Sequence, residues 1–125
     1  ILDVVSYREG DLLTDALGAG DTDVVLLCNI LHHFPAAQNR DILSRVHDAL
    51  RPGGTVAIFD LETSATDAAP EAAGDAMGLY FRITSTSTCF RGEDYEGWLR
   101  AGGFRAVRTI RSVKMPSRML VVATK

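Results

Sequence analysis

The chain has 125 residues, a formal net charge of −3 and 46% apolar residues, which is the balance of one globular domain. Lysine and arginine are spread along the sequence without a basic stripe, which argues against a nucleic-acid partner. The longest apolar runs are too short to span a bilayer, so no membrane partner is expected. The chain begins at Ile1 with no signal-peptide pattern after it, and we expect it to be part of a longer protein.

Two cysteines, Cys28 and Cys89, lie in unlike sequence settings and form no CxxC pair. This spacing supports neither a disulfide framework nor a zinc knuckle. We therefore predict two reduced thiols in a cytoplasmic protein.

The first half of the chain predicts three strands and one long helix. A short strand is predicted over residues 3–8, DVVSYR, followed by a helical turn and a loop. Residues 23–28, DVVLLC, are apolar after the first position, which is typical of a strand covered on both faces. A helix over residues 38–50 and an apolar strand over residues 55–59, TVAIF, complete a parallel crossover unit.

The boundaries of that helix are predicted from its polar residues. Asn39 and Asp41 suit its beginning, Asn39 as a cap and Asp41 as a negative charge near the positive helix end. The sequence Arg51-Pro52-Gly53-Gly54 ends it. Its apolar residues recur on one face: Ile42, Leu43, Val46, Ala49 and Leu50.

The second half predicts two helices and a terminal hairpin. Residues 63–76 are predicted as a loop that leads into a helix with Met77, Tyr80, Phe81 and Thr84 on one face. A second amphipathic helix is predicted over residues 93–101. The strands 105–113 and 119–124, joined by a tight connection, are predicted to pair as an antiparallel hairpin. The fold class is therefore α/β, with a mostly parallel sheet that ends in an antiparallel hairpin.

The strings GDLL, DTDVVLLCNILHHFP, NRDILSRVHDALRPGGTVAIFDLE and WLRAGGF together resemble the C-terminal half of a class I S-adenosylmethionine-dependent methyltransferase. They are closest to bacterial relatives of the small-molecule O-methyltransferases. The most specific pieces are LHHF after a buried strand, ALRPGG before the next strand and AGGF before the hairpin. The resemblance implies a partial Rossmann-like fold, with residues 1–125 as the C-terminal part of the catalytic domain. A flavodoxin-like module is a lesser alternative, against which the terminal hairpin argues.

The glycine-rich cofactor loop of that family is not found in this sequence. Gly18-Ala19-Gly20 precedes a strand instead of opening a helix after one, so we interpret it as a loop. The resemblance also implies that the family's central first strand, which neighbours residues 23–28, is missing. We expect one edge of that strand to be unpaired and its faces to be partly uncovered. A longer product or a homodimer would cover it.

The resemblance implies S-adenosyl-L-methionine as the cofactor and four residues that contact it. Asp11 matches the acidic position that approaches the adenine amino group, and Leu12 would pack beside the ring. Cys28 stands where related enzymes place a lysine that helps to hold the cofactor, and Asn29 follows it. The alternative for Asp11 is a solvated turn aspartate or a helix cap.

Two adjacent histidines, His32 and His33, follow the first apolar strand. Consecutive side chains point in different directions, so the pair is not expected to chelate one metal ion, and no metal site is predicted. The resemblance places His32 at the general base of the plant-type O-methyltransferases, where a neutral imidazole takes the proton of a phenol. Packing against the helix beneath is the alternative. His33 is interpreted as mostly structural or as an orienting partner, and it is also a candidate substrate contact.

The acidic residues near this site have several interpretations. Asp60 and Glu62 end the second apolar strand and share a face, so they could bind a cation, although ordinary loop acids are the favoured interpretation. The family's base-orienting glutamate falls near Cys89 in this sequence. Asp75 could serve in its place.

The resemblance implies methyl transfer to a small, aromatic hydroxylated metabolite. Met77 and Tyr80 are candidate contacts to this acceptor, because their helix follows the substrate side of the sheet, whereas a core role is the alternative. A second hypothesis is that the chain is a non-catalytic fragment or association domain of a larger methyltransferase.

Overall fold

The computed structural model describes residues 4–63 and 72–125. Seven regular elements follow one another in these ranges, with a short 3-10 turn between the first two. They are β1 (Thr22–Cys28), the 3-10 turn (Leu31–His33), α1 (Ala36–Ala49), β2 (Leu50–Leu61), α2 (Ala72–Thr84), α3 (Gly92–Ala101), β3 (Arg105–Arg111) and β4 (Arg118–Thr124). This order confirms the predicted crossover unit and the terminal hairpin.

The four strands form one sheet in the order β1-β2-β4-β3. β1 pairs with β2 in parallel, whereas β4 pairs with both β2 and β3 in antiparallel fashion. The sheet is therefore mixed: β1, β2 and β3 share one direction, and β4 runs against them. The arrangement confirms the α/β class and the antiparallel finish.

The core lies between one face of the sheet and the helices α1 and α3. Helix α1 buries the apolar stripe that its periodicity predicts, and α3 buries Tyr95 and Leu99 completely. Each fully buried side chain of this size contributes about 1.5–3 kcal/mol of hydrophobic free energy. None of the helices in the described ranges combines the length and the hydropathy that a bilayer crossing requires.

The opposite face of the sheet is open to solvent. Val24 and Leu26 of β1 are 53% and 66% exposed, and Ile110 of β3 is exposed as well. The prediction that the β1 strand is covered on both faces is therefore wrong for the described residues. The expectation of an unpaired edge and a partly uncovered face is confirmed, because β1 is the edge strand of this sheet.

The predicted strand over residues 3–8 is not present. Residue 3 lies outside the described residues, and residues 4–8 are irregular and exposed. A strand is stabilised by hydrogen bonds to a neighbouring strand, and none of the described strands pairs with this segment. Of the predicted loop 63–76, residues 64–71 lie outside the described residues.

The beginning of α1 also differs from the prediction. The helix begins at Ala36 with Pro35 as its N-cap residue, so Asn39 lies inside the first turn. The buried Asn39 amide donates hydrogen bonds to the backbone carbonyls of Leu31 and Phe34, at 3.0 Å each. Asn39 is therefore not a cap, and its side chain instead ties the 3-10 turn to α1.

Candidate active site

The carboxyl ends of β1 and β2 meet at one rim of the sheet, where their residues pair in parallel from Val24 to Cys28. Directly after β1, the Asn29 backbone adopts a left-handed conformation with φ of 51°. Its N–H donates a 2.8 Å hydrogen bond to the carbonyl of Phe59. The chain then enters the 3-10 turn, which places His32 over the end of β2.

At this rim the His32 imidazole is bound to a buried carboxylate. Nδ1 of His32 lies 2.5 Å from Oδ1 of Asp60, and the His32 backbone N–H donates to Oδ2 at 3.3 Å. His32 is 4% exposed and Asp60 is fully buried. Because a carboxylate only accepts hydrogen bonds, Nδ1 carries the proton and the lone pair resides on Nε2. The pair therefore fixes the tautomer that a general base requires.

Asp60 is the residue that sequence reasoning missed. Its interpretation as a loop acid is wrong, because β2 continues through Leu61 and its carboxylate accepts a further hydrogen bond from the Leu61 N–H at 2.8 Å. Val56, Ile58 and Asp60 alternate along the strand, and all three are fully buried on the core face. Continuing this alternation beyond residue 59 would have predicted an inward-facing carboxylate.

Aromatic packing holds the imidazole from the other side. The ring of Phe81 from α2 stacks on His32 with centroids 4.3 Å apart and an interplanar angle of 24°. Within the described residues, the structure shows hydrogen-bond partners for Nδ1 and the backbone of His32 and none for Nε2. This nitrogen can therefore accept a proton from a ligand that reaches the rim.

The second histidine has a different environment. The His33 ring is exposed, tilted by 51° from the His32 ring, and the two centroids are 4.2 Å apart. In the part of the chain that the structure describes, no cluster of three or more His, Cys, Asp or Glu side chains is arranged to hold a metal ion. His33 therefore lies beside the base as an exposed neighbour that a ligand could contact.

Glu62, the second acid at the end of β2, is also not a loop acid. Its carboxylate accepts hydrogen bonds from Arg111 at 2.6 and 2.7 Å and from the Gly92 N–H at 2.8 Å. Arg111 also binds Glu93 at 2.8 Å. The hydrogen bond that Arg111 donates to Glu62, and the second one that it donates to Glu93, raise the pKa of the Arg111 guanidinium. Glu62 therefore anchors the hairpin and α3 to the end of β2, and the cation-binding interpretation has no support.

The predicted cofactor residues occupy two places. Cys28 and Asn29 are exposed at the rim that carries His32. Asp11 is exposed in a turn before β1, where its Oδ1 accepts a 2.8 Å hydrogen bond from the Leu13 N–H. This turn is the alternative considered for Asp11, and the residue is exposed there. Leu12 is half-buried and packs against the main core.

The predicted acceptor residues lie on α2. Met77 packs against a small cluster of Leu61, Phe81 and Cys89, so it is partly a core residue. Tyr80 is half-exposed, and its ring meets the edge of the Phe81 ring with centroids 5.5 Å apart. Met77 and Tyr80 therefore both lie next to Phe81, the α2 residue whose ring stacks on His32.

Neither Cys89 nor Asp75 orients the base. Burial raises the pKa of the Cys89 thiol to about 11, the negative charge of Asp60 adds to this, and the thiol stays neutral. Asp75 accepts a 2.8 Å hydrogen bond from the Thr63 hydroxyl. The imidazole is held by Asp60 in their place.

A mixed sheet of four strands with three helices, whose last strand runs against its neighbours, is the arrangement of a partial Rossmann-like methyltransferase fold. A family model described as the O-methyltransferase domain matches residues 2–105. The chain belongs to this O-methyltransferase family.

Several curated proteins and solved structures are similar to the chain. It is 35% identical to the 3-hydroxy-5-methyl-1-naphthoate 3-O-methyltransferase of Streptomyces sahachiroi, over 97% of this chain and 34% of that protein. It is 32% identical to the N,N-dimethyltransferase OxyT of Streptomyces rimosus, over 97% of this chain and 34% of that protein. The chain spans about a third of the length of these curated relatives.

Solved structures agree with this assignment. An O-methyltransferase structure from Nostoc punctiforme superposes with a TM-score of 0.84 at 26% identity, over 94% of this chain and 36% of that chain. Human N-acetylserotonin methyltransferase in complex with SAM gives a TM-score of 0.85 over 98% of this chain and 34% of that chain. Its 19% identity shows a shared fold alone.

Proposed function

We propose that residues 1–125 are the C-terminal part of a methyltransferase catalytic domain that uses S-adenosyl-L-methionine and methylates a hydroxyl group of a small aromatic metabolite. The observation that carries this proposal is the buried His32–Asp60 couple at the carboxyl rim of β1 and β2. The relative from Streptomyces sahachiroi, whose name gives a hydroxylated naphthoate as substrate, supports an aromatic hydroxyl acceptor.

His32 is the general base in this proposal. S-adenosyl-L-methionine, when bound, would supply an electrophilic methyl group, whose bond to the sulfonium sulfur breaks so that S-adenosylhomocysteine leaves. Nε2 of His32 accepts the proton of the acceptor hydroxyl as the new carbon–oxygen bond forms, while Asp60 keeps Nδ1 protonated and stabilises the resulting imidazolium. A positioned base of this kind contributes about 10²- to 10⁴-fold to the rate.

Asp11, Leu12, Cys28 and Asn29 are the proposed contacts to the cofactor. The side-chain chemistry fits the adenosine end: a surface carboxylate for an exocyclic amine, an apolar side chain beside it, and a thiol and an amide at the rim. The glycine-rich loop of the family is not in this sequence, so these residues account for only part of a binding site.

His33, Met77 and Tyr80 are the proposed contacts to the acceptor. The exposed His33 and Tyr80 rings both meet the Phe81 ring edge-on, at 5.3 and 5.5 Å between centroids, which provides aromatic surface next to the base. A flat acceptor could pack against this surface with its hydroxyl group directed to Nε2 of His32.

The proposed partner is a small-molecule acceptor, with no nucleic-acid or membrane surface involved. A homodimer is proposed as one way to cover the exposed face that carries Val24 and Leu26. The cytoplasmic location is part of the same proposal, because Cys28 and Cys89 are both free thiols.

Replacing His32 tests the proposed function. In the whole gene product, we expect His32→Ala to lower kcat by about 10²-fold or more and to leave cofactor affinity within about twofold. The matched control is His47→Ala on α1, where the ring packs against Phe104 outside the site. Unchanged turnover in His32→Ala, with the control also unchanged, would remove His32 as the base.

The uncovered face and edge of β1 favour a second candidate, in which the isolated chain is a non-catalytic part that folds fully only in association. Titration calorimetry of residues 1–125 with S-adenosyl-L-methionine separates the two views. No measurable heat supports the second candidate, whereas micromolar binding by the isolated chain contradicts it.

A further inference from the structure

Arg118, the first residue of β4, is a half-buried cation with neutral partners. Its Nη1 donates a 2.5 Å hydrogen bond to the side-chain oxygen of Asn29. Its guanidinium carbon lies 5.7 Å from the centre of the Phe59 ring. No ion pair connects it to a carboxylate of residues 4–63 or 72–125.

The position of Arg118 places this charge at the proposed active-site rim. It pairs with Leu61 of β2, the residue after Asp60, and reaches Asn29, three residues before His32. It also lines a cavity of about 670 Å³ between the β3–β4 hairpin and the end of β2. Of the two arginines in the lining of this cavity, Arg111 forms ion pairs with Glu62 and Glu93, whereas Arg118 forms no ion pair with a carboxylate of the described residues.

The electrostatics of Cys89 agree with this placement. The pKa of the buried thiol is raised by burial and by Asp60 and is lowered by Arg118, so both charges act on the same side chain. Asp60 is occupied by His32 and is not an ion-pair partner for Arg118. The positive charge therefore lies close to the His-Asp couple without being neutralised by it.

A guanidinium without an ion-pair partner is stabilised by an anion, and its planar donors match the two oxygens of a carboxylate. The carboxyl ends of parallel strands are where ligands of such sheets bind. From these observations we infer that Arg118 binds a carboxylate group of a ligand at the rim. The inference rests on the proposed function for the identity of that ligand, since both an aromatic hydroxy acid and the amino-acid end of the methyl donor carry a carboxylate.

Three variants of the whole gene product test this inference. Arg118→Met keeps an unbranched stem over Phe59 and removes the charge, and Arg118→Lys keeps the charge without the planar fork. Arg108→Met is the matched control, because Arg108 is an exposed arginine of β3 and its loss changes the net charge equally. Titration calorimetry measures the binding of 1-naphthoate, its neutral analogue 1-naphthamide and S-adenosyl-L-methionine, with circular dichroism as the check on folding.

For an acceptor carboxylate, Arg118→Met should weaken 1-naphthoate binding by about tenfold to a hundredfold and leave 1-naphthamide and the methyl donor unchanged. For the donor carboxylate, the same loss should appear for S-adenosyl-L-methionine alone. Arg118→Lys should give a smaller loss and Arg108→Met none. Wild-type affinities retained by a folded Arg118→Met, or no binding of either carboxylate by the wild type, would overturn the inference.

The same experiment separates this inference from the proposed function. Arg118-dependent binding of a carboxylate, together with no methyl transfer to any phenol, would support the anion site and contradict the methyltransferase proposal. Methyl transfer at the same rate in wild type and Arg118→Met would support the methyltransferase proposal and contradict the anion site.

Discussion

Asp60→Asn is the most direct test of the His-Asp couple, because it keeps the shape of the side chain and removes its charge. In the structure the carboxylate accepts three hydrogen bonds, from Nδ1 of His32, from the His32 backbone N–H and from the Leu61 N–H. An asparagine offers one oxygen and one NH2 group. In one orientation the NH2 faces the His32 backbone donor, and in the other it faces the imidazole.

The magnitude follows from these contacts. A hydrogen bond to a charged group contributes about 1.5–3 kcal/mol, and a fully buried donor left without an acceptor costs about 1–3 kcal/mol. We therefore expect Asp60→Asn to lower the free energy of unfolding by about 2–4 kcal/mol, a large part of the ~5–15 kcal/mol that holds a domain together. Where the NH2 faces the imidazole, the proton of His32 moves to Nε2, and the ring can no longer accept a proton from the acceptor.

Urea unfolding followed by circular dichroism measures the stability change, and kcat of the whole gene product measures the catalytic one. We expect kcat to fall by about 10²- to 10⁴-fold at temperatures where the variant stays folded. Asp48→Asn is the matched control: Asp48 lies 3.9 Å from His47 but is 80% exposed. A folded Asp60→Asn with kcat within threefold of the wild type would refute the role of Asp60 in fixing the base.

Two further predictions concern the core and the open face. The Cys89 thiol has a pKa of about 11 in the folded chain and about 9 when unfolded, so the unfolded chain loses this proton first as the pH rises. The free energy of unfolding should consequently fall by up to about 1.4 kcal/mol for each pH unit between 9 and 11. In urea unfolding at several pH values, this free energy should depend less steeply on pH in Cys89→Ala than in Cys28→Ala. Equal slopes in the two variants would contradict the raised pKa of Cys89. Leu26→Lys should change the unfolding free energy of the isolated chain by less than about 0.5 kcal/mol, because Leu26 is 66% exposed. In sedimentation experiments Leu26→Lys should weaken self-association, and an unchanged dimer fraction would exclude this face as the interface.

Most of the fold could be predicted because its elements have strong local patterns. The apolar runs of β1 and β2, the stripe of α1 and the hairpin before Lys125 each follow from periodicity and turn residues alone. The strand predicted at residues 3–8 has a similar pattern, but the described residues 4–8 form no strand, because a strand also needs a neighbour to pair with and the described sheet supplies none there. Pairing is a property of the whole sheet and is not encoded in six residues.

Only one of the two residues of the His32–Asp60 couple was predicted from the sequence. The resemblance to O-methyltransferases singled out His32, but its partner was not recognised, because the predicted end of β2 at Phe59 put Asp60 into a loop. The error of two residues changed a buried hydrogen-bond acceptor into a solvated acid. Local patterns are weakest at strand ends, because a polar residue there can be either a buried hydrogen-bond partner or a solvated loop residue.

The His32–Asp60 couple and the exposed apolar residues lie on different faces of the sheet. His32 lies in the 3-10 turn after β1, and Asp60 lies on the face of β2 that α1 and α3 cover. Phe81 from α2 completes the packing around the imidazole. Arg118 and Leu26 lie on strand positions of the other face, which is open in the described residues. Substitutions on the open face should therefore alter ligand affinity or association while the Nδ1–carboxylate bond persists, and substitutions of Asp60 should do the opposite. The proposed base is thus held by contacts within this chain, and we propose that other residues cover the open face and complete the cofactor site.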